Sequence, residues 1–221
     1  MPISKEGTVR LYDAIAPLYS FFRKITHKSD DKIMPFMLNS LDPRNGEVIL
    51  DAGTGPGIYA IKIAEIARDT QVYGIDLSPN FLKLAERNAM KAGFNHIKFM
   101  KGDVEDIPFN DHHFDKIVCA GVLSAIPNPE QAACEFYRVL KMGGRAVIQE
   151  PNGGLGARDR YFLLLLYAIG LINPKRRGFS VGDIPQYFFS QRSLRKILEG
   201  AGFERVEIAE VGSSICAICS K

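Results

Sequence analysis

The chain has 221 residues, of which 46% are hydrophobic and 24% are charged, proportions typical of a folded globular protein. A chain of this length buries about 70% of its unfolded surface, so its core needs neither disulfides nor a metal. Its 28 basic and 25 acidic residues give a net charge of +3, which is too small to indicate a nucleic-acid partner. Disordered, collagen-like and coiled-coil classes are excluded.

The cysteines and the first residues bear on the cellular compartment. Four cysteines do not make a disulfide framework, and the start of the chain has no apolar stretch typical of a secretion signal. We therefore expect a reducing cytoplasm. Cys216 and Cys219 form a C-x-x-C motif within a predicted strand. Because positions three apart in a strand face opposite sides of a sheet, we expect packing residues there and no metal site.

Short β-rich runs alternate with helical patterns through the middle of the chain. Strands are predicted at 47–51, 71–76, 96–100, 114–119 and 145–150, with helices at 57–68, 78–92 and 129–140. The last of these helices is expected to stop at Gly143-Gly144. A helix at 190–201 then precedes a closing strand pair at 203–209 and 213–220. This alternation predicts an α/β fold with a mostly parallel sheet covered by helices on both faces.

We predict a single domain with four parts: a helical cap at 1–40, a core at 41–150, an insertion at 151–190 and a closing helix and strand pair at 191–221. The insertion contains an apolar run at 161–172, too short to cross a bilayer. Its cationic flanks favour a lid over a hydrophobic acceptor, with peripheral membrane contact through 158–177. The alternative is a helix buried against the sheet or at a dimer interface. Either a monomer or a homodimer is compatible with the sequence.

Glycines stand at alternate positions between Asp51 and Gly57, directly after a hydrophobic strand. Glycine lets the backbone turn sharply and lets a ligand approach the main chain closely. Dinucleotide-binding turns use G-x-G-x-x-G, but Ile58 stands where that pattern needs its last glycine. Asp51 would also repel a pyrophosphate and attract a cationic ligand. The combination fits S-adenosylmethionine, which carries a sulfonium and an ammonium group.

Two further acids follow the next two predicted strands. Asp76 ends the second strand, where a carboxylate can accept hydrogen bonds from both ribose hydroxyls of a nucleotide. Asp103 follows the third strand, where it can accept a hydrogen bond from an adenine amino group. For either acid, the alternative is a loop carboxylate that caps a helix.

Together these motifs resemble class I S-adenosylmethionine-dependent methyltransferases. The resemblance rests on Asp51-x-Gly53-x-Gly55-x-Gly57, Asp76, Gly102-Asp103-Val104, the strand at 114–118 and the segment at 138–144. The segment from Tyr12 to Tyr19 is similar to the quinone-biosynthesis (UbiE-like, methyltransferase type 11) small-molecule branch. The resemblance implies a Rossmann-like sheet of seven strands with the last one antiparallel. It also implies S-adenosylmethionine as the cofactor, S-adenosylhomocysteine as the product and a small hydrophobic or lipid-like acceptor.

The resemblance also implies roles for individual residues. The implied cofactor-binding set is Asp51, Gly53, Thr54, Gly55, Gly57, Asp76, Leu77, Asp103, Val104, Cys119 and Tyr19. In this set, Asp51 and Gly53 lie near the methionine moiety, Val104 helps to hold the adenine, and Cys119 begins a segment with main-chain contacts beside the sulfonium. Glu150 ends the fifth strand at the ligand edge, where the cap and the insertion also begin, and the alternative for it is a helix-capping or loop carboxylate. We therefore expect the acceptor to contact Tyr12, Phe22, Glu150 and Tyr187.

The sequence departs from the family pattern in two places. The run at 122–127 lacks the histidine pair that many relatives carry near Ser124, and Asn128-Pro129-Glu130 does not match the motif for methylating base amino groups. DNA adenine methylation is therefore not expected. No catalytic base is assigned, since His27 is either near the site or an exposed helix residue. Two alternatives stay open: a protein that binds S-adenosylmethionine without methyl transfer, and another nucleotide-dependent enzyme such as a short dehydrogenase.

Overall fold

The computed structural model describes residues 5–7, 9, 13, 32–152 and 189–221. The elements in chain order are α1 (Ile33–Leu41), β1 (Val48–Ala52), α2 (Ile58–Ile66), β2 (Gln71–Asp76), α3 (Pro79–Ala92), β3 (Lys98–Lys101), β4 (Phe114–Ala120), a 3-10 turn (Leu123–Ala125), α4 (Pro129–Val139), β5 (Leu140–Pro151), α5 (Gln191–Gly200), β6 (Arg205–Val211) and β7 (Ser214–Ser220). Residues 5–7, 9 and 13 are also helical. Among the helices of these ranges, none has the length and apolarity needed to cross a bilayer.

Several predicted features lie outside the described residues. They are Tyr12, Tyr19, Phe22, His27, Tyr187 and most of the predicted insertion, including its apolar run at 161–172. The predictions made for them therefore stay predictions.

The seven strands form one sheet in the order β3-β2-β1-β4-β5-β7-β6. The neighbours among β1 to β5 run parallel, whereas β7 is antiparallel to both β5 and β6. This confirms the predicted Rossmann-like sheet with an antiparallel last strand. The chain leaves β1 in one direction to β2 and β3, and continues on its other side with β4 and β5. Parallel sheets bind ligands where the order reverses in this way, outside the carboxyl ends of the strands.

Each face of the sheet has its own hydrophobic core, because successive residues of a strand point to opposite sides. Ile49 packs in the cluster that α1 and α2 cover, whereas Leu50 packs in the cluster that α4 and α5 cover. Cys216 and Cys219 are buried in these two different clusters and form no disulfide. The prediction that they are packing residues is confirmed.

The structure corrects one predicted boundary, the helix stop at Gly143-Gly144. α4 ends at Val139, and β5 begins at Leu140, which pairs with Phe114. The register shifts directly after this pair, and Gly143 adopts a φ of +73°. A Cβ on Gly144 would lie 2.8 Å from the Leu140 Cγ. The two glycines therefore lie at an irregularity inside β5, where Gly144 packs closely against Leu140, the first residue of the strand.

Candidate cofactor site

A cavity lies at the carboxyl ends of β1, β2 and β4. Its wall comes from the turn after β1, the ends of β2 and β4, and the loops after β3 and β4. The structure brings together seven of the predicted cofactor-binding residues in this wall: Asp51, Gly53, Thr54, Gly55, Asp76, Leu77 and Val104. The spacing of the acids and glycines along the chain therefore located the cavity.

The three glycines of the turn after β1 have different surroundings, although all adopt positive φ angles. A Cβ on Gly55 would meet no atom within 4 Å, and this glycine borders the cavity. A Cβ on Gly57 would lie 2.9 Å from the Ala85 Cβ, and one on Gly53 would collide with the Val122 side chain. Gly55 thus leaves room for a ligand, while Gly57 allows α2 to pack closely against α3.

Asp51 joins the end of β1 to the start of α2. Its carboxylate is 2% exposed, and its Oδ2 accepts hydrogen bonds from the Thr54 hydroxyl (2.7 Å) and the Ala60 N–H (3.0 Å). These two bonds close one side of the turn with groups that lie close together in the sequence. Asp51 also borders the cavity, where a carboxylate suits a cationic group.

Asp76 closes the other side of the same turn. Its Oδ2 accepts a hydrogen bond from the Gly55 N–H (2.9 Å), and its Oδ1 accepts one from the Ser78 N–H (2.8 Å). Burial raises the pKa of Asp76 above its usual value, and the nearby Asp13 carboxylate adds to the effect. The main-chain N–H groups oppose that rise by stabilising the ionised form.

Three N-terminal residues that the sequence analysis missed reach this site. Lys5 contacts the carboxylates of Asp103 (2.6 Å) and Glu105 (2.5 Å), Val9 borders the cavity, and Asp13 accepts a hydrogen bond from the Ser78 hydroxyl (2.7 Å). Positions four apart share one face of a helix. The signal was therefore present in the spacing of 5, 9 and 13 within a segment predicted to be helical.

The structure does not place Asp103, Gly57 or Cys119 in the cavity wall. The Asp103 carboxylate is engaged by Lys5 and by the Glu105 N–H (3.0 Å), while its neighbour Val104 borders the cavity. The Cys119 side chain is fully buried in the core, and Ala120 and Gly121, the next residues, border the cavity in its place.

Glu150 differs from its expected position against the acceptor. It ends in the interior, with no exposed surface, and its carboxylate accepts hydrogen bonds from the N–H groups of Val122 (3.0 Å), Leu123 (2.8 Å) and Ser124 (3.1 Å). The structure therefore corrects the expected placement, because a buried carboxylate needs hydrogen-bond donors, and the loop after β4 supplies them.

Comparison with known proteins identifies the family. A family model described as a methyltransferase domain matches residues 43–167, which is more than half of the chain. The chain belongs to this methyltransferase family. It is a methyltransferase that depends on S-adenosylmethionine.

Similar proteins match nearly the whole chain of this methyltransferase. A demethylmenaquinone methyltransferase of Oceanobacillus iheyensis is 25% identical over 96% of this chain and 90% of its own. A ubiquinone/menaquinone biosynthesis C-methyltransferase UbiE of Geotalea daltonii is 29% identical over 96% of this chain and 94% of its own. Among solved structures, a SAM-dependent methyltransferase from Aquifex aeolicus superposes with a TM-score of 0.68 at 21% identity, covering 90% of this chain and 96% of its own. This last likeness shows the shared fold.

The cavity of this methyltransferase fits S-adenosylmethionine. Gly55 and Gly121 leave space at the wall that a Cβ would occupy, and both adopt positive φ angles. Two acids, Asp51 and Asp76, stand in a wall whose remainder is largely apolar. Carboxylates suit the cationic and hydroxyl groups of the cofactor, and the apolar surface suits its adenine ring.

Proposed function

We propose that this methyltransferase transfers the methyl group to a small, hydrophobic, lipid-like acceptor. The observation that carries the proposal is the apolar side of the cavity, where Val122, Ala125 and Ile126 follow β4. An apolar wall favours an apolar ligand because both surfaces leave water. The similar proteins described as quinone-biosynthesis methyltransferases support the same class of acceptor.

The same proposal assigns the cofactor's parts to the polar side of the cavity. Asp76 would accept the ribose hydroxyls, since it stands at the end of β2 with its carboxylate at the cavity. Asp51 and the turn through Gly55 would hold the methionine moiety, whose ammonium and sulfonium are cationic. Val104 would pack against the adenine. For Asp103, an adenine contact stays a prediction, because Lys5 holds its carboxylate.

The proposed reaction requires mainly that the acceptor atom and the methyl group be held in position. When bound, the cofactor supplies a methyl group activated by the positive charge on its sulfur. Holding the acceptor atom at near-attack distance supplies much of the acceleration, and the apolar wall would keep water away. Within the described part of the cavity wall there is no histidine or lysine, so the described wall offers the carboxylates of Asp51 and Asp76 as its charged groups.

A labelled-methyl assay tests the acceptor class. The protein would be incubated with methyl-labelled S-adenosylmethionine and either a demethylated isoprenoid quinol or the same ring without its isoprenoid tail. We expect the label in the tailed quinol at a rate at least 10 times that with the tailless ring, since each buried methylene contributes about 0.8 kcal/mol. Equal rates, or transfer to the tailless ring alone, would contradict the hydrophobic acceptor.

Two further predictions from the sequence can be tested in the same assay. Adding liposomes should raise the rate if residues 158–177 contact a membrane. Replacing Leu164 and Leu165 by aspartate should slow transfer while leaving cofactor binding intact if the run at 161–172 covers the acceptor. Both segments lie outside the described residues, so these outcomes would be new information about them.

A further inference from the structure

The buried Glu150 carboxylate organises one particular loop. Its Oε1 accepts hydrogen bonds from the main-chain N–H groups of Val122 and Leu123, and its Oε2 accepts one from that of Ser124. The Ser124 hydroxyl also donates to the carboxylate. Three successive N–H groups thus converge on one side chain that stands 26 to 28 residues further along the chain.

The same loop forms part of the cavity wall. Gly121, Val122, Ala125 and Ile126 border it. The Val122 side chain also lies directly against Gly53, where it would collide with a Cβ on that glycine. A change in the bonds to Glu150 would therefore move residues that border the cavity and would loosen the contact with the turn after β1.

We propose that Glu150 is a positioning residue, whose ionised carboxylate holds the loop 121–126 in the shape that binds the cofactor. The inference rests on the proposed function, since it takes this cavity to hold both the cofactor and the acceptor, with the loop 121–126 bordering each. Glu150 itself does not border the cavity, and it acts through the main chain of Val122, Leu123 and Ser124.

The carboxylate changes its charge near neutral pH. Burial raises the pKa of Glu150 from 4.5 to about 7, against the hydrogen bonds from Ser124, Leu123 and Val122, which favour the ionised form. The titratable group that faces it from β4 is the Cys119 thiol, whose pKa burial and the charges of Glu150 and Asp51 raise well above its usual value. The residue opposite Glu150 on β7 is the apolar Ile215. Protonation of the carboxyl would place a donor among N–H groups that need acceptors.

Folding stability and cofactor affinity should therefore depend on pH in opposite directions. Because the pKa of Glu150 is higher in the folded protein, its contribution to stability is present below about 4.5 and is lost as the pH rises to about 7. Cofactor affinity should instead rise as the pH passes through about 7, since the ionised carboxylate shapes the loop. A residue that only stabilised the fold would show the first trend without the second.

The test compares Glu150→Gln with Glu135→Gln. Glutamine keeps the shape of Glu150 but offers one oxygen, so at least one N–H of the loop would face an amide donor. Glu135 is also buried, and its Oε2 accepts a hydrogen bond from the Ile107 N–H (2.7 Å) in a part of the loop after β3 that does not border the cavity. Calorimetry with S-adenosylhomocysteine as the probe, from about pH 6 to about pH 8.5, would measure the dissociation constants.

We expect wild-type affinity to rise about 5- to 10-fold between pH 6 and pH 8, as a single proton with a pKa near 7 allows. Glu150→Gln should bind at least about 10-fold more weakly at pH 8 and lose the rise in affinity between pH 6 and pH 8. Glu135→Gln should keep the wild-type affinity and its rise with pH. If Glu150→Gln binds as the wild type does, or keeps the pH step, the inference is wrong. If the wild type binds no probe at all, the proposed function fails instead.

A measurement on the wild type covers the case in which Glu150→Gln does not fold. The amide ¹⁵N and ¹H shifts of Val122, Leu123 and Ser124 should titrate together with one midpoint near pH 7, because all three N–H groups donate to the same carboxylate. The amide of Ile107, which donates to Glu135, should show no such midpoint. Flat shifts for the three loop amides over this range would overturn the inference.

Discussion

The turn after β1 and the loop after β4 border the same cavity, but they are held by different means. In the turn, Asp51 bonds to Thr54 and Ala60, which are three and nine residues away, and the Gly55 N–H also bonds to Asp76, 21 residues away. In the loop, the N–H groups bond to Glu150, which is 26 to 28 residues away on the next strand. Local bonds leave a pattern that can be found in the sequence, whereas the distant bonds depend on β4 and β5 being neighbours.

The two regions also differ in what their small residues do. Within the turn, Gly55 borders the cavity, whereas Gly57 lies in the packed interface between α2 and α3, although both belong to one motif. In the loop, the side chains of Val122, Ala125 and Ile126 supply the wall. A substitution at Gly55 should therefore affect mainly cofactor binding, whereas one at Gly57, two residues further on, should affect mainly stability.

The largest effect is expected for Gly55→Asn. Asparagine tolerates a positive φ better than most side chains. Any loss of binding should therefore come from side-chain atoms that occupy the cavity, and not from backbone strain. We expect the affinity for S-adenosylmethionine to fall more than 100-fold, about 2.7 kcal/mol or more, while the protein stays folded. Gly46→Asn is the control, because Gly46 has a φ of +83°, open space around it and no place in the cavity wall. Normal binding by Gly55→Asn would end the distinction between the two glycines.

A smaller loss is expected for Asp76→Ala. Removing bonds to a charged carboxylate costs about 1.5–3 kcal/mol, so calorimetry should show roughly 10- to 150-fold weaker binding. Because burial raises the pKa of Asp76 and hydroxyl donors would favour its ionised form, wild-type affinity should also rise with pH through the acid range. The control is Asp111→Ala, which removes an exposed acid paired with Arg138 (2.8 Å). Equal affinities for the two variants would remove Asp76 from the cofactor site.

For Gly57→Ala, the effect is expected in stability and not in cofactor binding. The new Cβ would press on Ala85 and Phe99 at 2.9 and 3.0 Å, which adds a packing cost of about 1–3 kcal/mol to the backbone strain. Gly93→Ala carries the strain alone, since Gly93 has a φ of +83° and nothing within 4 Å of its Cβ position. Denaturant unfolding should show the larger loss for Gly57→Ala. If the two variants lose the same free energy of unfolding, the contact of residue 57 with Ala85 and Phe99 carries no packing cost.

The fold could be predicted closely because its signals are local and repeated. β2 lies at the predicted residues 71–76, and α5 differs from its prediction by one residue at each end. Ser190 caps α5 with a reciprocal bond to Ser193, a pattern confined to four residues. The predicted boundary between α4 and β5 was wrong because Leu140 belongs to the sheet, where it pairs with Phe114. No local sequence pattern indicates this contact.

The site shows the same division. The sequence by itself determined the glycine turn and the acids Asp51 and Asp76, because each stands at or directly after the end of a strand, and parallel strands end at one edge of the sheet. Only the tertiary structure decided that Lys5 engages Asp103 and that Glu150 serves the loop after β4. A buried carboxylate must find donors wherever the folded chain presents them. Their identity depends on which strands become neighbours, and this is settled only when the whole sheet has formed.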